Sequence, residues 1–443
     1  MLEIAGLLLA LASAFALETQ VIFEEPNGVR LLVADDPSIK AVKFEVQPNG
    51  QQLVEDIVEY RVDGVWEFYK PEMEVQSGDD IRYRVTVYHE EGTELTEWKF
   101  YKLTSFERPV RSMKRAVVFR DDFHSFNKGS YKIECSAWGG GNHEFQVYVN
   151  EPSNLYARGG HFYLKPTLTT DDPRYDDNRL YHGQMKVTDF CGGGPCTQSA
   201  NWGCDRTAVN GNVLNPIKSG KVTTNAAIRY GTVTVRARIP EGDWLWPAIW
   251  MLPRDWKYGG WPRSGEIDLM EARCNSYMKC GSNLEGVQEV ASTLHWGPDA
   301  GQNRFYKTHG ELDKGSGDWA DGFHTYKLEW DANHIRVTVD GRQILYVSTP
   351  GNSYWGWGGF GGSNPWAGGG RDAPFDQYFQ LILNVAVGGQ YFPQGCAYNH
   401  PRPWHDGSPR QEAEFYEKKS EWLSTWHGER AAMVIDYVEM VQA

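Results

Sequence analysis

Three features of this sequence predict an all-β chain, a small immunoglobulin-like β-sandwich followed by a large β-sandwich. Short runs of alternating β-branched and aromatic residues recur along the whole length, turn formers separate them, and helical periodicity is almost absent. The first runs are Val21-Ile-Phe, Gly28-Val-Arg-Leu-Leu-Val, Ala41-Val-Lys-Phe-Glu-Val, Trp66-Glu-Phe, Ile81-Arg-Tyr-Arg-Val-Thr-Val-Tyr and Trp98-Lys-Phe-Tyr. Between them Pro26-Asn-Gly, Pro48-Asn-Gly, Asp63-Gly and Ser77-Gly-Asp supply residues that adopt turn backbone angles at low cost. A polar, basic stretch from Glu107 to Arg115 then reads as a linker. The same rhythm resumes from about residue 116, with alternating strands such as Thr232–Ile239 and His334–Asp340. One helix is expected, Ser408 to Thr425, where Glu and Lys are dense and Trp422 and Trp426 repeat at i, i+4.

The length agrees with two domains, since 443 residues exceed the roughly 250–300 at which single cores stop growing. The expected boundaries are 17–104 for the small sandwich, 105–115 for the linker and 116–443 for the large domain. Residues 1–16, with the apolar run Leu7 to Phe15 and small-x-small sites at Ala12-Ser13-Ala14 and Ala14-Phe15-Ala16, predict a secretory signal peptide and a secreted, extracellular protein. Nothing later is long and apolar enough to span a bilayer. A net charge of −14 argues against nucleic acid, which needs a basic face, and against adsorption to an anionic membrane. A neutral ligand fits better, and the 18 Trp offer flat apolar faces on which pyranose rings stack.

Seven cysteines in an exported chain predict a few disulfides and one odd thiol. Cys274 and Cys280 are close enough to staple one loop, while Cys191, Cys196 and Cys204 match no zinc spacing and favour disulfides. No Asn-x-Ser/Thr sequon occurs, so N-glycosylation is not expected.

The chemistry concentrates in Trp261-Pro-Arg-Ser-Gly-Glu266-Ile-Asp268-Leu-Met-Glu271, three acids in six residues interrupted only by aliphatics. On a strand of strict period two, Glu266 and Asp268 share a face and Glu271 takes the other. One extra residue accommodated as a β-bulge at Leu269-Met270 restores the parity and turns all three carboxyls into one cleft. Two carboxyls about 5–5.5 Å apart are what retaining glycoside hydrolysis requires. In that scheme Glu266 is the nucleophile and Glu271 the general acid, though the order is open to reversal. Asp268 then hydrogen-bonds the nucleophile and keeps Glu271 protonated by like-charge repulsion. The plainer alternative is a solvated acidic edge. Trp246, Trp250 and Trp261 around the motif argue for a sugar cleft instead.

These stretches, with Tyr230–Pro240, Trp244–Pro253, Ser292–Gly297 and Pro374–Gly389 in the same order, resemble glycoside hydrolase family 16. Within it they are most similar to animal β-1,3-glucanases and to invertebrate β-1,3-glucan-binding and Gram-negative-bacteria-binding proteins. The resemblance covers about 116–443 and implies a β-jelly-roll with a long concave cleft. It also implies endo-hydrolysis of β-1,3-glucan such as laminarin, with no cofactor required. Position by position, Glu266 matches the nucleophile, Glu271 the acid/base and Asp268 the assisting acid. Trp246, Trp250 and Trp261 match cleft aromatics and His295 the cleft histidine, for which a packed core histidine is the plainer reading. Asn142 in Gly140-Gly-Asn142-His-Glu-Phe-Gln matches a substrate-contacting loop. The family also implies one structural Ca²⁺ in some members, for which Asp436 matches a ligand.

Pro26-Asn-Gly-Val-Arg, Asp36-Pro, Gly64-Val-Trp66-Glu-Phe68 and Gly78-Asp-Asp-Ile-Arg-Tyr83 resemble carbohydrate-binding module family 39, with Arg84 where that family carries a further Trp. The leading expectation is therefore a retaining endo-β-1,3-glucanase whose partner is β-1,3-glucan. The alternative is a non-catalytic pattern-recognition protein of innate immunity that binds glucan or bacterial surfaces. A third keeps the chemistry and changes the polymer to mixed-linkage glucan, galactan or xyloglucan. Sulfated galactans fit poorly, because no basic cluster flanks the motif.

Overall fold

The computed structural model describes residues 19–23, 29–34, 38–58, 65–70, 79–89, 92–102 and 116–443. The expected signal peptide over 1–16, the linker over 105–115 and the turns at Pro26-Asn-Gly, Asp63-Gly and Ser77-Gly lie outside them. The chain divides into two compact units, Met1–Met113 and Lys114–Ala443.

In the smaller unit a three-stranded sheet, in the order Thr19–Phe23, Val29–Ala34, Val65–Lys70, accompanies a five-stranded one centred on Ile39–Pro48 and Asp80–His89. Period-two alternation sends Val42, Phe44 and Val46 and their partners Tyr83, Val85 and Val87 to one face, where they are buried with Leu31, Val33, Trp66 and Phe68. The Pro48-Asn49-Gly50 turn has Asn49 and Gly50 at φ 42° and 68°, the left-handed angles that match hairpin twist. Arg84 is committed to structure. Its guanidinium forks onto buried Glu45 through Nε to Oε2 (2.8 Å) and Nη2 to Oε1 (2.7 Å), and lies 4.7 Å from the Trp98 ring centre.

The larger unit stacks two antiparallel sheets over one core. The sheet that carries the motif consists of β1 (Tyr131–Ile133), β2 (Lys221–Thr224), β3 (Leu245–Pro253), β4 (Glu266–Glu271), β5 (Glu289–His295), β6 (His309–Asp313) and β7 (Phe379–Val387), in the spatial order β1-β2-β7-β3-β4-β5-β6. Its interior strand β7 is buried at every position. Against it lies a sheet built on Gly231–Arg238, His324–Trp330, His334–Val339, Arg342–Ser348 and the C-terminal strand Met433–Gln442. Ile249, Met251, Ile267, Leu381 and Leu383 from the first sheet meet Val233, Val235, Leu328, Val337 and Ile435 from the second. At about 25 cal/mol per Å² of apolar surface, this shared core is the main term holding the two sheets together.

Two sequence expectations are corrected. The helix expected over Ser408–Thr425 is broken into Gln411–Glu417 and Lys419–Trp422, followed by a 3₁₀ turn at Leu423–Thr425, and short helices also form at Asp177–His182 and Ser353–Gly358. Each is brief because tertiary packing, such as Phe415 stacked on Trp422 at 4.3 Å, selects one buried face per turn. Cys274 does not staple a loop with Cys280. Among the described residues the disulfides are Cys135–Cys191, Cys196–Cys204 and Cys280–Cys396, and Cys274 is a buried thiol. Sheet geometry decides this, because it sends Cys274 into the core while carrying Cys280 to the segment around 396.

Candidate active site

The bulge expected in β4 is present. On the β3 side Trp250 pairs with Asp268, Ile249 with Met270 and Ala248 with Glu271, so Leu269 has no partner. On the β5 side Asp268 pairs with Thr293 and Glu271 with Ala291, three residues spanning two. Ile267, Leu269, Met270 and Ala272 all enter the core. Two successive core residues, Leu269 and Met270, are the signature of the inserted residue, and the parity shift leaves Glu266, Asp268 and Glu271 on the opposite face.

His295, across from Glu266 on β5, closes the group. Its Nε2 lies 3.3 Å from Asp268 Oδ2 and 3.7 Å from Glu266 Oε1. The tautomer is set from behind. Asn303 Oδ1 accepts from the backbone N–H groups of Trp296 and Phe305 (both 3.2 Å), so its amide nitrogen is the donor to His295 Nδ1 at 2.8 Å. The imidazole proton therefore sits on Nε2 and faces the carboxyls. Ligand atoms of Glu266, Asp268 and His295 lie within 4.8 Å of one another, a metal-like spacing. A protonated Nε2 offers no lone pair, however, and the set favours holding protons over holding a cation.

Burial is the first cause that lifts the carboxyls here. Glu266 is pushed up to about 8, with repulsion from Asp268 and Glu271 adding to desolvation and His295 opposing it. Asp268, deeper still, is held well above the ordinary carboxylate range by burial and then by Glu271. The hydrogen bond between Glu266 and Asp268 works against that rise, because it stabilises an ionised Asp268 that accepts from Glu266.

The three expected tryptophans occupy the site in different ways. Trp261, 42% exposed, donates Nε1–H to Glu266 Oε2 at 3.0 Å and stands 5.7 Å from the His295 ring. Trp246 is buried and so is not an open sugar platform. It stacks on Tyr391 at 4.0 Å and 9°, and donates Nε1–H to Glu271 Oε1 at 3.0 Å. Arg273 backs Tyr391, with its guanidinium 4.2 Å from the ring centre and Nε donating to the Tyr391 carbonyl at 2.8 Å. Trp250 donates to Asn384 Oδ1 at 2.6 Å, and the Lys221 ammonium lies 5.0 Å from its ring centre. Asn142 is exposed in the turn after β1, and its carbonyl accepts from Gln390 N at 2.8 Å, which ties its loop to the Tyr391 segment. Gly140, at φ +62°, permits this, since a Cβ there would lie 1.7 Å from Glu144 Oε1. Asn303, Tyr391 and Arg273 escape sequence reading because they reach the motif only through tertiary contacts.

Further buried acids belong to the same unit. Glu144, 6% exposed, is raised to about 7 by burial, with Lys221 and a hydrogen bond from Gln146 opposing. Glu289, 8% exposed on β5 beyond Ala291, is raised to about 8 by burial and then by Glu311 and Glu285. With Glu266, these groups make the folded protein bind more protons than the unfolded chain between about 4.5 and 8, so stability falls as pH rises through that window. Glu289→Gln is expected to flatten the slope, raising the melting temperature near pH 8 while leaving it nearly unchanged near pH 5. Identical pH dependence of melting in the two proteins would contradict this.

Asp436 does not fit a calcium ligand. Arg236 Nη1 donates to its Oδ2 and His161 Nε2 lies 3.6 Å from its Oδ1, so both oxygens already face nitrogen donors.

Two stacked antiparallel sheets, with acids and indoles on the face of one that turns away from the shared core, place the large unit among the carbohydrate-active β-jelly-rolls. A profile described as glycosyl hydrolases family 16 matches residues 197–354, and the CBM39 profile, described as carbohydrate binding domain (family 32), matches 16–112. A β-1,3-glucan-binding protein of Penaeus monodon is 42% identical over 337 residues, covering 73% of this chain and 89% of the relative. Glucan endo-1,3-beta-glucosidase A1 of Niallia circulans is 31% identical over 287 residues, 62% of this chain and 34% of the relative. The laminarinase of Rhodothermus marinus shares 23% identity at a TM-score of 0.45, over 74% of this chain and 97% of that one. The chain belongs to glycoside hydrolase family 16, in the group of β-1,3-glucanases and invertebrate β-1,3-glucan-binding proteins, with a CBM39-type domain at its N terminus.

Proposed function

We propose that the chain is a secreted endo-β-1,3-glucanase acting on laminarin-type glucan with retention of configuration. The observation that carries this reading is the bulge that turns Glu266, Asp268 and Glu271 to one face. Glu266, oriented by Trp261, attacks the anomeric carbon and forms a glycosyl ester as the C–O bond to the leaving sugar breaks. Glu271, oriented by Trp246, gives its proton to the departing oxygen. Glu271 then takes a proton from water, whose oxygen displaces Glu266 from the same carbon. Asp268, hydrogen-bonded to Glu266, holds that carboxyl in position through both steps. Export agrees with the disulfides, which persist in oxidising compartments.

A second reading, glucan binding without cleavage, is favoured by the name of the Penaeus monodon relative and by burial that keeps Glu266 protonated up to about 8 in the free protein. Reducing-end release from laminarin separates the two. The first expects soluble reducing sugar whose initial product is the β-anomer by NMR. No release, with insoluble β-1,3-glucan still pulled down, establishes the second, and an initial α-anomer excludes Glu266 as nucleophile.

A further inference from the structure

Trp202 is the most exposed large apolar side chain among the described residues, at 79%. Its loop is nevertheless tightly held. Cys196–Cys204 closes it, Asn201 Nδ2 donates to the Trp138 carbonyl at 3.2 Å, Arg206 donates to the Asn201 carbonyl at 3.1 Å, and Ala137 N donates to the Gly203 carbonyl at 2.8 Å. Asn201 and Trp202 both sit in the left-handed region, at φ 50° and 57°. That conformation is unfavourable for a bulky residue and persists only where surroundings over-determine it, a condition concentrated at ligand clamps. An indole displayed to solvent by a strained, cross-linked loop is not explained by packing.

The loop is also linked by side-chain contacts to the sheet that carries the acids. Gly203 lies so close to Trp138 that a Cβ on it would stand 2.8 Å from Trp138 Cβ. Trp138 donates Nε1–H to Glu134 Oε1 at 3.0 Å, Glu134 pairs with Lys221 at 2.9 Å, and Lys221 lies over Trp250, the cross-strand partner of Asp268. From β4 through β3, β7 and β2 to β1 there are four strand spacings, roughly 19 Å, which leaves room for several sugar units between the acids and this loop.

We propose that Trp202 is a stacking platform for a distal pyranose of a bound β-glucan chain, extending the cleft past β1. This rests on the glucan reading above. The ligand class follows from the surface: the indole face is electron-rich and apolar, and the C–H face of an uncharged pyranose is its complement.

Amide hydrogen exchange of the full chain carrying Glu266→Gln, which leaves the ligands intact, tests this with a laminari-trisaccharide and with long laminari-oligosaccharides. Both are expected to slow exchange in 266–271, and only the long ones in 196–204. Trp202→Ala is expected to abolish protection of 196–204 and weaken long-oligosaccharide binding at the large unit about tenfold, with trisaccharide binding unchanged. Trp202→Phe is expected to retain most of it. Protection of 266–271 by the long ligand without protection of 196–204, or unchanged affinity in Trp202→Ala, overturns the platform alone. If no oligosaccharide protects 266–271, the glucan reading falls and the platform with it.

Discussion

Glu266→Gln is expected to lower laminarin hydrolysis by at least about three orders of magnitude, because in the proposed mechanism it removes the group that forms the covalent intermediate. The amide keeps the acceptor that receives the Trp261 N–H, so glucan affinity should persist. Glu271→Gln is expected to be as damaging on laminarin and much milder on an aryl β-glucoside with a good leaving group, which departs without protonation. That contrast separates the two roles. Similar losses on both substrates for both variants would remove the assignment of Glu271 as acid, and a Glu266→Gln protein that still cleaves laminarin near the wild-type rate would remove that of Glu266.

A second large effect is expected from changing the length of β4. Inserting one alanine between Leu269 and Met270 reverses the parity again and drives the Glu271 carboxyl toward the core that now takes Met270. An uncompensated charge there costs about 3–5 kcal/mol, so the insertion should abolish hydrolysis and lower the denaturant midpoint together. Deleting Leu269 should behave differently. It has no partner on β3, so its removal leaves Asp268 opposite Trp250 and Glu271 opposite Ala248, with the acid still facing the cleft. The loss is then one buried leucine, about 2–5 kcal/mol, and part of the activity should survive. Deletion that is inactive while insertion is active would show that the bulge does not set the direction of Glu271.

Much of the site was legible because its signals are local. The three acids lie within six residues, the aliphatics between them demand a core on one side, and a period of two makes the parity conflict visible before any coordinate. The same locality failed where contacts are distant. Trp246 and Trp250 read as cleft-lining aromatics like Trp261, and the Tyr391 ring stacked on the one and the Lys221 ammonium near the other, 145 and 29 positions away along the chain, are invisible to that reading. Cys274 and Cys280 are neighbours in sequence and belong to different environments in space. The pattern at Asp436 matched a calcium ligand, and Arg236 on the adjoining strand occupies it.

The sequence by itself determined the all-β class, the acid-bearing strand and the need for a bulge, since alternation and turn chemistry act over a few residues. Only the tertiary structure decided how far burial lifts the carboxyls, which indoles stay open and how the imidazole is oriented. Those properties depend on desolvation and on partners such as Asn303, Tyr391 and Arg273, which the sheet topology brings together from remote parts of the chain.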